Sequence, residues 1–507
     1  MTSQQRILVN TAAQYTRTII NVCLSLYSTR LILAALGQTD YGIYSVVAGV
    51  VAMLSFITNA LVSTTQRYLS FNHGKGDKQK VYQVFGNSVL LHVMIGLGLF
   101  VLLSALAHPI IYSFLNIEPV RQNAALAVYF AAVIMLQLTF LTAPFRALYI
   151  ARENIVYISI IDVLDGVFRL LIAIFLTFIV SYDKLILYAV LLLGISVFNL
   201  IAFSVFALRH FEECHIPRWK EWDGQYIKNL SSYAGWTVYS TGCIIARTQG
   251  IAIIINRAFG SAVNAAYGVA QQVTGAVHFV AVSISNAMSP QIMKAEGAGD
   301  RKRMLALSEA LSKYATLMMA IVVIPLVFEM QGALEFWLKD VPDYAVMFCR
   351  YVLIASVCDQ LTIGLGTANQ AIGRIRNYSL TVNTIKVLTL PAAWACLQFG
   401  LPVDSVMWCY VSIEIICAAT RLPFLKVTAG LDVWHFVRNV ILRSIFPICA
   451  ITLSCYATTR LEGLPFRFIL TLNVSAIVGA ATIWLTALQP NEKNILRNIL
   501  LSKLKKK

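Results

Sequence analysis

The stretch VNTAAQYTRTIINVCLSLYSTRLILAAL, residues 9–36, decides the fold class. Its length and apolar content suit a helix of about 20 or more residues across a bilayer. Yet it holds Arg17 and Arg30 together with Asn10, Gln14, Thr18, Asn21, Ser25 and Ser28. At about 100° per residue, all of these except Arg30 share one narrow face, and Arg30 lies nearly opposite. An arginine turned to lipid costs about 3 kcal/mol or more. The polar face is therefore expected against other helices or water. Arg17 is either a paired or snorkelling charge or part of a wet surface that receives an anion, and the second reading is adopted.

The same character runs through the whole chain. Of 507 residues, 58% are hydrophobic and 13% charged, with a mean hydropathy of +0.71. That balance excludes a soluble domain of this size and fits a multi-pass membrane protein. The N-terminus runs straight into the first apolar stretch, with no cleavage motif, so helix 1 is expected to be an uncleaved signal anchor. Ten cysteines show no CxxC and no zinc-ligand spacing, and the cluster His210, Cys214, His215 lacks a second ligand pair, so no metal is expected. The formal charge of +16 reads as membrane orientation rather than as a nucleic-acid footprint.

Apolar blocks place about fourteen spans, at roughly 9–36, 41–66, 81–106, 121–147, 154–180, 184–208, 228–255, 263–290, 304–329, 343–369, 377–400, 404–426, 435–458 and 465–488. Joints on one side collect Arg67, Lys75, Arg146, Arg152, Arg209, Arg218, Lys220, Arg301, Arg374, Arg421 and Arg438, with the basic tail. The other side holds Arg121, Lys184, Arg257, Lys339, Arg460 and Arg467. The positive-inside rule then puts both termini in the cytoplasm.

A shift of 223 positions aligns Gly37 with Gly260, and Gly74, Gly76, Asp77 with Gly297, Gly299, Asp300. It also aligns Pro119 with Pro342, Gln137-Leu138-Thr139 with Gln360-Leu361-Thr362, and Asn154 with Asn377. Two parallel six-helix repeats are expected, related by an axis along the membrane normal. The reading divides the chain into an N-lobe 1–208 (helices 1–6), an interfacial linker 209–227, a C-lobe 228–426 (helices 7–12), helices 13–14 in 427–488, and a basic tail 489–507.

Ionisable residues inside the spans are few. Asp165 and Arg169, four apart, are expected to neutralise each other, leaving Asp162 free to pair with Arg17. His278 reads as a hydrogen-bonded core histidine. Arg17, Arg247 and Lys386 have no acid in their own helical turns, and Asp359 and Glu414 stand as isolated acids suited to binding a proton or Na+. No Walker motif and no nucleophile–base set is present, so neither an ATP-driven pump nor an enzyme is expected.

The joint LGQTDYGIY (36–44), QRYLS (66–70) and RALYIARENIVY (146–157) resemble the bacterial polysaccharide, O-antigen type flippases. These belong with lipid II flippases and multidrug extrusion proteins in one exporter superfamily. The resemblance covers roughly helices 1 to 12. It implies two six-helix lobes forming a V, alternating access, and a cationic cavity for an undecaprenyl-pyrophosphate-linked oligosaccharide. The acid that many drug exporters of that superfamily carry in helix 1 is Arg17 here. On this reading Arg17, Asn21, Arg30, Arg247 and Lys386 bind substrate, while Asp162, Asp359 or Glu414 take the coupling Na+ or H+, and no cofactor is needed. The setting is a bacterial inner membrane, with membrane lipids, a polymerase or glycosyltransferases as partners and no nucleic acid. An ion-coupled drug or organic-ion exporter and a non-transporting scaffold of polysaccharide assembly are the alternatives.

Overall fold

The computed structural model describes residues 3–488, apart from 53, 116, 180–181, 216–221, 339–340 and 462–466, together with 492–493. Most of the expected basic tail, the linker residues Arg218, Trp219, Lys220 and Glu221, and Lys339 lie outside the described residues. The described residues form helices and no strands. In chain order these are α1 (Ser3–Ala52), α2 (Ser55–Lys75), α3 (Lys78–Pro109), α4 (Gln122–Ala151), α5 (Ile155–Phe178), α6 (Lys184–His210), α7 (Gly224–Phe259) and α8 (Ser261–Gly297). Then come α9 (Arg301–Phe328), α10 (Met330–Trp337), α11 (Ala345–Gln360), α12 (Ile363–Ile372), α13 (Ile375–Tyr378), α14 (Thr384–Val387) and α15 (Thr389–Gln398). Last are α16 (Asp404–Ala429), α17 (Val433–Phe436), α18 (Arg443–Thr459) and α19 (Arg467–Thr482).

Ten helical stretches among the described residues are long and apolar enough to cross a membrane, and the bent pair α11–α12 makes an eleventh. The expected fourteen spans exceed this because two are too polar to qualify by composition and a third is split between two helices. Asp162, Asp165 and Arg169 interrupt α5, α8 is rich in Ser, Asn and Gln, and the second expected span is divided between the end of α1 and α2.

The internal repeat is written in the backbone. Gly37 breaks α1 with φ 79° and ψ 171°, and Gly260 separates α7 from α8 with φ 85° and ψ −179°. Only glycine adopts this conformation without strain. Asp77 caps α3 through the Lys80 N–H (3.0 Å), and Asp300 caps α9 through the Arg303 N–H (3.0 Å). Packing repeats as well. Helix α4 packs against α2, α3 and α6, as the α11–α12 pair packs against α8, α9 and α16. Helices α18 and α19, outside the repeat, pack on α9.

Contacts divide the chain into Val9–Val238 and Tyr239–Lys507, the latter joined by Met1–Leu8. The boundary falls inside α7, beyond the linker expected from the sequence. The core of the first unit is built on α4, where Val128, Tyr129, Ala132, Leu136 and Phe140 are buried. In the second, α9 is the buried centre, with Met304, Leu311, Ala315 and Met319 essentially inaccessible. Small residues such as Ala124, Ala125, Ala132 and Ala315 let neighbouring helices approach closely.

Candidate functional site

In the first unit the polar face of α1 lies along α5. Asn10 Nδ2 donates to the Glu153 carbonyl (2.8 Å), Arg17 pairs with Asp162 (2.6 Å), and Asn21 packs on Gly166. Residue numbers rise together on both helices, so α1 and α5 run parallel. A side chain at position 166 would meet Asn21 Oδ1 and Leu24, so glycine permits this approach. Asp162 is not satisfied by Arg17 alone. Arg146 grips both of its oxygens at 3.0 Å, so two guanidinium groups meet one carboxylate. The side chains of Arg17, Asp162 and Arg146 remain 21%, 20% and 38% exposed. Asn21 Oδ1 is buried without a hydrogen-bond partner, and Arg30 is exposed. Asp165 takes Arg169 (2.6 Å) and Asn199 (2.7 Å), the local pairing expected.

The second unit places α7 beside α13–α15 in the same parallel manner. Ser240, the repeat counterpart of Arg17, bonds with Ser379 (2.8 Å) and Asn383 (2.8 Å), and Tyr239 with Thr384 (2.7 Å). Residues 379–383 are π-helical, a local widening that is frequent at functional sites. Two turns further along α7, Arg247 pairs with Glu414 of α16. Lys386 Nζ stands between Glu414 Oε1 (2.7 Å) and Asp359 Oδ1 (3.2 Å), and Arg421 holds Asp359 from the far side (2.7 Å). Arg247, Lys386, Glu414 and Arg421 are buried and Asp359 nearly so, and the Arg247 guanidinium lies 4.3 Å from the centre of the Tyr410 ring.

The bend between α11 and α12, 47°, explains the position of Arg421. Breaking the helix at 361–362 leaves the Asp359 carbonyl without its usual partner. Arg421 donates to that carbonyl (3.1 Å) and to Thr362 Oγ1 (3.2 Å) while pairing with the Asp359 carboxylate.

Several expectations change. Glu414 and Asp359 are not isolated: each is held by two cations, as is Asp162. Arg247 and Lys386 meet on one carboxylate, while Arg17 belongs to the other unit and makes the pair with Asp162 that the sequence reading allowed. His278 is exposed on α8, not a core residue. Arg146 and Arg421, read from the sequence as loop cations, are helical residues inside the two clusters. The signal available was the apolar sequence that follows each, ALYIA after Arg146 and LPFL after Arg421, which carries the helix past the arginine. Among the described residues no group of three His, Cys, Asp or Glu is placed to hold a metal ion.

Comparison with known proteins follows from this geometry. A family profile described as "Polysaccharide biosynthesis protein" matches residues 3–296, more than half of the chain. No curated protein matches the sequence significantly. Similar solved structures include a MOP-superfamily transporter from Pyrococcus furiosus, for which reversed polarity of the binding pocket suggests a different function. It has a TM-score of 0.73 at 11% identity, covering 85% of this chain and 96% of that one. A multidrug resistance MATE family transporter in an outward-facing conformation gives 0.74 at 11% identity, covering 85% and 96%. The MATE transporter ClbM in complex with Rb+ gives 0.70 at 15% identity, covering 84% and 95%. The fold is that of this group of membrane transporters.

Proposed function

Because the chain belongs to the polysaccharide biosynthesis protein family, we propose that it is a flippase that carries an undecaprenyl-pyrophosphate-linked oligosaccharide from the cytoplasmic to the periplasmic leaflet of a bacterial inner membrane. The observation that supports this reading is the charge count of the first unit: Arg17 and Arg146 face a single Asp162. This partly exposed cluster carries one positive charge in excess, which suits an anionic headgroup and opposes a cationic drug. The three acids expected to couple an ion, Asp162, Asp359 and Glu414, are each already held by two cations. A proton or Na+ that engages Asp162 competes with Arg17 and Arg146, so ion binding and headgroup binding are linked through one carboxylate. Arg247 and Lys386, committed to Glu414, form a second cationic centre that reaches cargo only if Glu414 releases them. Asn21 extends the polar face of α1 towards the glycan, and Arg30, exposed on another face of the same helix, adds a second cation for the substrate.

At an effective dielectric near 20, a cation about 4 Å from a phosphate gains roughly 4 kcal/mol before desolvation. Arg17→Gln is therefore expected to lose most surface-glycan export, while Arg17→Lys retains part. Because Arg146 still neutralises Asp162 in Arg17→Gln, the variant is not left with an orphaned buried acid, and folding is checked by size-exclusion chromatography. Wild-type export in the double variant Arg17→Gln, Arg146→Gln overturns the reading.

A further inference from the structure

The buried cluster of the second unit contains three cations, Arg247, Lys386 and Arg421, and two acids, Glu414 and Asp359. Each of these residues is buried except Asp359, whose side chain is 17% exposed. An uncompensated charge inside a protein costs several kcal/mol even after relaxation. Arg247 and Arg421 by themselves balance the two acids, so Lys386 makes the surplus. Arginine does not lose its proton in a protein, and Lys386 Nζ stands between two carboxylates, at 2.7 Å from Glu414 and 3.2 Å from Asp359.

A second, independent feature lies beside the surplus. Arg247 Nε is buried and completes no hydrogen bond, and the Tyr267 hydroxyl, which accepts from the Gln271 amide, finds no acceptor for its own proton. The Tyr267 hydroxyl lies close to Arg247 and to the Tyr410 ring that the Arg247 guanidinium covers. Tyr267 is 1% exposed and Arg247 5%. Both open groups can donate a hydrogen bond, and each buried donor left unpaired costs about 1–3 kcal/mol. Donors without acceptors, next to an uncompensated positive charge, describe the lining of an anion site.

We propose that α7, α8 and α16 form a buried site for one small anion, with Arg247 Nε and the Tyr267 hydroxyl as its donors, the Gln271 amide orienting that hydroxyl, and the Lys386 charge as its electrostatic reason. The chemistry fits a chloride ion or a single phosphate group, and the site does not depend on the cargo proposed above.

The test is thermal unfolding of the purified full chain at constant ionic strength, with gluconate as the bulky reference anion. Chloride, inorganic phosphate and pyrophosphate are titrated against it. A saturable rise of a few degrees with chloride identifies a free resident anion. A rise with phosphate or pyrophosphate and not with chloride identifies the phosphate of a ligand. Lys386→Met leaves two cations facing two acids, and is expected to fold with the anion response gone. Tyr267→Phe removes one donor and is expected to weaken the apparent affinity severalfold. Absence of any saturable anion effect in the wild-type protein overturns the proposal without recourse to a variant. So does an anion response that persists unchanged in both Lys386→Met and Tyr267→Phe.

Discussion

Gly364 shows how little freedom the packed helices leave a single residue. Its N–H donates to Ser312 Oγ (3.0 Å) on α9, and a Cβ at this position would fall on the Ser308 carbonyl oxygen. That oxygen belongs to the α9 backbone and cannot rotate aside as a side chain would. Gly364→Ala is therefore expected to destabilise the protein by about 1–3 kcal/mol or more, through overpacking. Gly98 on α3 has open space around its missing Cβ. Gly98→Ala is expected to be neutral or slightly stabilising, because alanine favours the helix. Unfolding temperatures of the two purified variants decide this, and equal losses in both would show that the α9–α12 contact is looser than the geometry requires. At the same scale, Arg421 combines two tasks, pairing with Asp359 and capping the carbonyl exposed by the bend. Its replacement by lysine, a single point charge, does not reproduce both.

At the scale of elements, charged residues fasten helix ends. Arg121, at the start of α4, holds Asp40 beyond the α1 kink and Asp183 at the start of α6 (2.7 Å). At the opposite end of that unit the segment after α6 is tied down by Glu213, which takes Arg152 of the α4–α5 joint and lies 3.3 Å from His73 of α2. Burial by itself would raise the Glu213 carboxyl, but His73 and Arg152 outweigh it and bring it down from 4.5 to about 2. The sign follows from linkage. The folded protein keeps this carboxylate ionised to a lower pH than the unfolded chain does, so its contribution is full above about 4.5 and lost as pH falls toward about 2. Wild-type protein is thus expected to exceed Glu213→Gln in stability near neutral pH, with the difference closing across that window. Denaturation curves at several acidic pH values measure it, and a gap that stays constant would mean that the carboxylate charge does not fasten this segment. At the C-terminal end, α19 is held on α9 at two levels. Arg467 pairs with Glu329 (2.9 Å), and Lys313 with Glu492 (2.9 Å).

For the molecule as a whole, the charge alternation along the sequence makes a prediction about the membrane. Lys75 ends α2 and Glu118 precedes α4, and the single span Lys78–Ser113 runs between them. Reporter fusions after Lys75 and after Glu118 are expected on opposite sides, with Lys75 cytoplasmic. The same side for both would remove α3 as a crossing. The repeat gives this weight, since the Asp77 and Asp300 caps follow equivalent joints and are expected to share a side.

Local periodicity was sufficient for much of this. The apolar blocks, the polar face of residues 9–36 and the offset of 223 are properties of neighbouring or equally spaced residues. They placed the helices, the equivalence of Gly37 and Gly260, and the pairing of Asp165 with Arg169. Which distant charges meet is not a local property. Arg17 and Asp162 are separated by 145 positions and Arg247 and Glu414 by 167, and no helical period links them. Only packing brought Arg146 to Asp162 and Arg421 to Asp359, turning acids that stand alone in the sequence into carboxylates gripped from two sides. A buried charge is satisfied by whatever the fold brings within about 4 Å, and the tertiary structure alone decides that.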